Sequence, residues 1–324
     1  MTTPYFDYFI NKKILITGGA GYLAYSLTSL LSDVNCSITR LDLNFSGFSK
    51  NGKAKIKDVQ GDISKTETFD GLLDDIDIIF HFAAQTSVYK ANENPMVDWQ
   101  INVVPMLNML EICRKKNLKP VILFSGTVTE AGMPVSLPVN EKHPDNPITI
   151  YDLHKLMSEN YLKYYVKQDF VKGAVLRLAN VYGPGPKSSS VDRGILNMMI
   201  RRALNGENLT LYGDGKYIRD YIYVKDVARA FLFAASNIEK TNGQHFVIGS
   251  GNGITIADAF NLVVDRVSLK TSKKVEVNNV PPPSTLSLIE NRNFVADSSK
   301  FMKYAGWNAE YTLNMGIDAV IESM

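Results

Sequence analysis

The chain has 324 residues, long enough for a large α/β domain with a smaller lobe and a well-buried core. Its 35 Lys and Arg stand against 33 Asp and Glu, so no global field draws it toward nucleic acid or an anionic membrane. Cys36 and Cys113 sit in no CxxC or Cys/His cluster, which speaks against a disulfide framework or a zinc site and for a reducing, cytoplasmic setting. The opening MTTPYFDYFINKK has no basic start followed by an apolar stretch, and no window reaches the roughly 18 to 20 apolar residues of a membrane helix. A soluble protein is expected, with no processed leader.

Short β-branched runs alternate with longer amphipathic stretches up to about residue 180. KKILITG reads as a strand, SLTSLLSDV as a helix and CSITRLDL as a strand; after a gap come IDIIFHFAA, the helix WQINVVPMLNMLEICRKK and the strand PVILFS. Such alternation predicts a Rossmann-type, doubly wound parallel sheet. A helix over 151–166 and a buried strand AVLRLANVYG come next. Beyond Gly183 lie a loop PGPKSSS, a helix ILNMMIRRAL, a short strand LTLYGDG and the run Pro281-Pro282-Pro283. The expected division is a dinucleotide-binding domain over 1–183 and a smaller α/β substrate-binding lobe over most of 184–324. A segment near 221–251, containing GQHFVIGSG, returns a strand to the main sheet.

Thr17-Gly18-Gly19-Ala20-Gly21-Tyr22-Leu23-Ala24 joins a strand to a helix. Gly18 and Gly21 permit close phosphate approach, and the helix opening at Tyr22 and Leu23 offers its N–H groups to a pyrophosphate. Asp42 ends the next strand, 24 residues after Gly18, where a carboxylate binds both ribose hydroxyls and repels a 2′-phosphate. That favours NAD over NADP, although Arg40 points the same way on an extended strand and leaves the choice open.

TGGAGYLA, the acid at 42, Gly61-Asp62-Ile63 and His81-Phe82-Ala83-Ala84-Gln85 together resemble the extended short-chain dehydrogenase/reductase family, the NAD-dependent nucleotide-sugar epimerases and dehydratases. The resemblance implies that Asp62 and Ile63 hold the adenine, and that Phe82, Ala83, Ala84 and Gln85 pass beneath the cofactor's phosphates and ribose. His81 reads as a hydrogen-bonded histidine at a strand end. Asn102 keeps the family's cofactor-side asparagine, but Pro105 replaces its glycine and would kink the helix outside a first turn.

Tyr151 and Lys155 stand four apart on one helix face, where a cationic lysine stabilises a phenolate able to act as base. Tyr8/Lys12, Tyr212/Lys216 and Tyr221/Lys225 share the spacing, but only Tyr151 opens a helix after a Pro-rich loop, 24 residues beyond the hydroxyl-rich strand end SGTVTEAG. The family pattern puts the catalytic, substrate-facing hydroxyl at Thr127, with Ser125 facing the cofactor; Lys155 would also hold the nicotinamide ribose. His154 faces away from this pair and is expected at the surface or an interface. In the second lobe the resemblance implies substrate contacts from Asn180, Leu211, Tyr212, Arg219 and Arg292, the arginines on the diphosphate.

Family dehydratases carry Asp-Glu after the catalytic threonine; here stand Val128 and Thr129, with Glu130 one step too far along an extended segment. The favoured reading is an NAD-dependent epimerase acting at C4 of a nucleotide-linked hexose. A C4 dehydrogenase, a 4,6-dehydratase or a decarboxylase of the same family are the alternatives, as is an inactive NAD-binding sensor or structural protein. By the same analogy, helices near 98–116 and 151–167 would form a four-helix homodimer interface burying Tyr161, Tyr164 or Tyr165.

Overall fold

The computed structural model describes residues 4–45, 52–186 and 194–324. Its first half runs β1 (Lys13–Thr17), α1 (Tyr22–Leu31), β2 (Ser37–Asp42), β3 (Lys55–Gln60), β4 (Ile78–His81), α2 (Val88–Glu93), α3 (Pro95–Asn102), α4 (Val104–Lys116), β5 (Val121–Thr127), α5 (Ile150–Lys167) and β6 (Lys172–Leu178). Next come β7 (Asn180–Tyr182), α6 (Ile195–Leu204), β8 (Leu209–Tyr212), β9 (Ile218–Tyr223), α7 (Val224–Ser236), α8 (Ile238–Thr241) and β10 (His245–Ile248). The chain ends with β11 (Gly253–Thr255), α9 (Ile256–Thr271), β12 (Val277–Val280), α10 (Ser299–Ala305) and α11 (Leu313–Glu322).

Seven parallel strands form the main sheet in the order β10-β6-β5-β4-β1-β2-β3. The order reverses between β1 and β4, and a doubly wound sheet opens its ligand crevice at the carboxyl ends of the strands beside such a switch. The inner strands are apolar because helices cover both faces; every residue of β4 and β5 is buried. β3, KIKDVQ, is the edge: largely exposed and charged, it lacks the apolar pattern of its neighbours, which is why the sequence shows a gap there.

Two predicted elements are divided. AVLRLANVYG breaks at Ala179, so β6 stays in the main sheet while β7 joins a second sheet, β11-β9-β7. The single helix expected over WQINVVPMLNMLEICRKK is two, α3 and α4, meeting at Val103. Pro105 falls in the first turn of α4, where a missing N–H is harmless. β10 runs alongside β6, pairing His245 with Val175. A second core, with Leu196, Ile200, Leu211, Phe260, Val263 and Ile317, packs α6, α9 and α11 on β8 and β9. Residues 187–190 of the predicted PGPKSSS loop lie outside the described residues.

Candidate active site

At the crevice, Gly18 adopts the left-handed region (φ 69°), and a Cβ there would lie 2.7 Å from the Ala83 backbone nitrogen. Conformation and close approach both demand glycine. The N-cap of α1 is Gly21, with no side-chain capping bond, so no N-cap side chain stands between the helix's first N–H groups and the crevice. Tyr22 and Leu23 open α1 half-buried, and the Tyr22 hydroxyl accepts from Asn197 Nδ2 at 3.2 Å. Asp42 lies against the turn, accepting from the N–H of Ala20 at 3.0 Å and of Leu43 at 2.7 Å. Ser64 donates N–H and hydroxyl to Asp62 Oδ1 at 2.9 and 2.8 Å, and Ile63 is buried beside it. Phe82, Ala83 and Ala84 leave β4 half-buried. Gln85 Nε2 donates to Asp98 Oδ1 at 2.7 Å, and Asn102 Nδ2 donates to the Gln85 carbonyl at 2.9 Å.

Across the ends of β1, β4 and β5 the register aligns Thr17, His81 and Phe124. Thr17 Oγ1 and His81 Nδ1 are 2.7 Å apart, and the His81 ring stacks on Phe124 with centroids 5.6 Å apart. Lys155 Nζ lies 4.1 Å from the centroid of that Phe124 ring, a cation–π contact that fixes the lysine beneath the strand end. Burial, and then the charge of Lys155, push His81 down to about 3, so it stays neutral there. Ser125 is buried and donates to the His81 carbonyl at 3.2 Å. Tyr151 and Lys155 are both buried in the first turns of α5, whose N-cap is Thr149.

SGTVTEAG itself turns rather than extends. Thr127 caps a 3-10 turn over Val128–Ala131, and Glu130 Oε1 accepts from the Thr127 N–H at 3.1 Å, closing a capping box. The expectation of an extended segment is thus corrected. Glu130 is fully buried and directed at Arg177, whose Nε is 3.0 Å from Glu130 Oε2. Arg177 also binds Glu159 of α5 and Asp145 of the Pro-rich loop, with shortest contacts of 2.6 and 2.5 Å, tying both to the strand end. Burial and the Glu159 charge raise Glu130 well above the usual carboxylate range. Burial also opposes ionisation of Glu159, but the Arg177 hydrogen bond and charge outweigh it and hold Glu159 at about 2. His154 corrects a second expectation: it is buried, with Nδ1 2.7 Å from Asp98 Oδ2, because α3 packs over the face of α5 away from Tyr151.

In the second lobe, Asn180 on β7 pairs with Tyr221 on β9. Arg219 is buried; its Nη1 donates to the Arg292 carbonyl and its Nη2 to the Glu290 carbonyl at 2.7 Å, so the fold brings both arginines together. Leu211 is buried in the second core, whereas Tyr212 is 52% exposed. In the sequence Tyr221 stands out only through a chance Tyr/Lys spacing. Its hydroxyl is buried beside Arg219 and Arg292 with no hydrogen-bond partner among the described residues. Burial raises it to about 12, with the two arginines opposing.

A family model, the NAD dependent epimerase/dehydratase family, matches residues 14–249. The chain belongs to that family. It is 30% identical over 318 residues to a UDP-glucose 4-epimerase of Lactobacillus helveticus, covering 92% of each protein. The crystal structure of a Thermotoga maritima UDP-glucose 4-epimerase with UDP-glucose superposes with a TM-score of 0.85 at 30% identity, covering 96% of this chain and 98% of that one. A Thermus thermophilus UDP-glucose 4-epimerase in complex with NAD matches at a TM-score of 0.80 and 26% identity, with 96% and 98% covered.

For this epimerase/dehydratase family member NAD is the cofactor. The residues present fit it: the Gly18 cradle has no room for a Cβ, α1 lacks a capping side chain, and the Asp42 carboxylate stands at the turn. Arg40, which keeps NADP open in the sequence, is buried and gives Nε and Nη2 to Asp58 at 2.7 and 2.6 Å. The edge strand's acid therefore neutralises the one cation expected to favour a 2′-phosphate. Sequence reasoning misses Asp58 because β3 does not read as a strand, and it misses Asp152, which is fully buried and accepts from Thr129 Oγ1 at 2.5 Å and Thr149 Oγ1 at 2.7 Å, because it lies inside the Tyr/Lys motif as a spacer.

Proposed function

We propose that the protein epimerises a UDP-linked hexose at C4 through a transient 4-keto sugar. NAD, when bound, supplies the acceptor for the C4 hydride and gives it back to the other face. In this reading Tyr151 removes the proton of the C4 hydroxyl and returns it, Lys155 stabilises the phenolate and holds the nicotinamide ribose, and Thr127 hydrogen-bonds the reacting oxygen. Asp42, Asp62, Ile63, Phe82, Ala83, Ala84, Gln85, Asn102 and Ser125 line the cofactor with the glycine turn. Asn180, Leu211, Tyr212, Arg219 and Arg292 receive the nucleotide diphosphate, with Tyr221 added to them for its buried hydroxyl between the arginines.

The observation that carries epimerisation over dehydration is the identity and direction of the three side chains after Thr127. Water loss needs a base for the C5 proton and an acid for the leaving hydroxyl. Val128 is apolar, Thr129 is a neutral hydroxyl, and the Glu130 carboxyl is turned into the buried Arg177 cluster. The test is incubation with UDP-glucose and UDP-galactose separately. Each should yield the other without net NADH, and Tyr151→Phe should abolish interconversion while NAD still binds. A keto product with stoichiometric NADH would instead establish a dehydrogenase.

A homodimer in a reducing cytoplasm completes the proposal. The thiols of Cys36 and Cys113 are free and buried. Leu153 and Tyr164 on α5 are 41% and 58% exposed, an apolar face suited to a four-helix contact. Tyr165 is not available for it, being buried in its own subunit with its hydroxyl on Glu111. Sedimentation that gives a monomer at micromolar concentration would refute the dimer.

A further inference from the structure

The first turn of α1 has little of its own to hold it together. Its N-cap, Gly21, makes no side-chain bond, and no acid stands in the turn. Neither a capping oxygen nor a carboxylate at the positive end of the dipole therefore steadies the N–H groups at the crevice. A cap would compete with an anion for those donors. The turn is held instead from the second lobe. Tyr22, its first residue, accepts at the hydroxyl from Asn197 Nδ2 at 3.2 Å. Asn197 is buried on α6, and its Oδ1 accepts from the Gly183 N–H at 3.1 Å. That second bond fixes the amide's orientation, so its NH2 group faces Tyr22. The Tyr22 ring lies on the backbone beyond β7. A Cβ at Gly183 would come within 3.1 Å of its hydroxyl oxygen, and one at Gly185 within 2.8 Å of Cδ2. One asparagine thus joins the helix at the glycine turn, the exit of β7 and α6.

We propose that the Tyr22–Asn197 bond is a latch on the cofactor: Asn197 is a positioning residue that keeps the first turn of α1 closed on the pyrophosphate and so sets how long NAD stays bound. This rests on the reading of the glycine turn and α1 as the pyrophosphate site. Release requires the N–H groups of the first turn to swing away, which moves Tyr22 and breaks its bond to the other lobe. The release rate then scales with the population of the opened turn, and the worth of the bond shows in that rate. Retention suits an epimerase, since a hydride taken from the sugar has to be returned by the same cofactor molecule. NADH lost in mid-cycle would strand the keto sugar.

The test mixes NADH-loaded protein with excess NAD and follows the loss of NADH fluorescence. Tyr22→Phe removes only the hydroxyl, and Asn197→Ala removes the amide that meets it. Each should speed NADH release by about three- to tenfold, the worth of one ordinary hydrogen bond. In the Asn197→Ala background Tyr22→Phe should add less than about twofold, because the bond is already gone. A bond that served only the fold would lower Tm and leave the release rate alone. Release within about twofold of wild type in Tyr22→Phe overturns the latch, even where Asn197→Ala fails to fold. So does a full further rise from Tyr22→Phe in the Asn197→Ala background. Either result leaves the pyrophosphate reading intact where Gly18→Val still weakens NADH binding; that reading fails instead if Gly18→Val keeps NADH affinity within about threefold of wild type.

Discussion

The glycine turn after β1 and the arginine cluster around Arg219 are both anion sites in the proposed reading, yet they are made from different materials. The turn uses backbone: a left-handed Gly18, the N–H groups of α1, and an approach to Ala83 so close that a side chain has no room. The cluster uses side chains from distant segments, with Arg219 of β9 held by the carbonyls of Glu290 and Arg292. A backbone site is complete within a few consecutive residues. A side-chain site exists only once β9 and the 288–292 segment have packed together.

The sharpest way to break this contrast is to place a side chain where the backbone works. Gly18→Val sets a β-branched residue in the left-handed region, at about 1–2 kcal/mol, and forces a further clash of about 1–3 kcal/mol against Ala83. NADH affinity should fall by at least about 100-fold, read by fluorescence titration, with a lowered Tm. An affinity within threefold of wild type would mean that the turn does not hold the pyrophosphate.

At the other site the expected loss is confined to the sugar nucleotide. Arg219→Ala removes charge-assisted hydrogen bonds worth about 1.5–3 kcal/mol, so KM for UDP-glucose should rise about 10- to 100-fold while NADH binding stays within twofold. Arg219→Lys should recover only part of this, since an ammonium cannot reproduce the planar fork. If NADH binding falls in parallel, the cluster serves the fold as a whole and the two sites are not separable.

The same contrast explains what the sequence makes legible. The glycine turn, the acid at 42, the Tyr151/Lys155 pair and the hydroxyl at 127 are marked by short spacings on single elements, and the sheet by its alternation of apolar runs. Asp58, Asp152 and Tyr221 carry no such mark. Asp58 stands on a charged edge strand that mimics a loop, and it acts by reaching Arg40 on the neighbouring strand. Asp152 is bonded by the hydroxyl of Thr129, 23 positions away. His154 misleads for a related reason: helical geometry separates it from Tyr151, but only packing shows that α3, not solvent, covers that face.

Buried charge aimed at no ligand gives a third, smaller readout, one of stability. His81 and His245 are pushed down, to about 3 and about 4, chiefly by burial. Below the ordinary histidine value of 6.5 the unfolded chain takes up two protons that the folded chain refuses, so stability falls with falling pH. Glu130, raised by burial and Glu159, acts oppositely: the folded state keeps a proton that the unfolded chain releases above 4.5. As pH falls from about 6 toward 4.5 stability should therefore decline, with the raised Glu130 offsetting part of the histidines' effect. Glu130→Gln, isosteric with the protonated acid, removes the opposing contribution and should steepen that decline. Urea unfolding at a series of pH values measures both. A flat profile would place the two histidines in contact with solvent.

The mildest intervention returns to the cofactor end and asks whether a side chain can intrude on a backbone site. Arg40 lies two residues before Asp42 on β2 and is held away from ligands by the edge-strand acid, bidentate at 2.7 and 2.6 Å. Asp58→Asn keeps the shape of that partner but removes its charge, leaving a guanidinium beside the glycine turn with a weaker hold. A 2′-phosphate would then meet a cation as well as the Asp42 carboxylate. The preference for NADH over NADPH should shrink by about three- to tenfold, in line with a partly solvated charge interaction of about 1 kcal/mol. Asp42 still repels the extra phosphate, so the preference should not invert; Asp42→Asn combined with Asp58→Asn should lower it further. If Asp58→Asn leaves the NADH/NADPH ratio of dissociation constants unchanged, Arg40 serves only to bind β3 to β2, and the choice of cofactor rests on Asp42 alone.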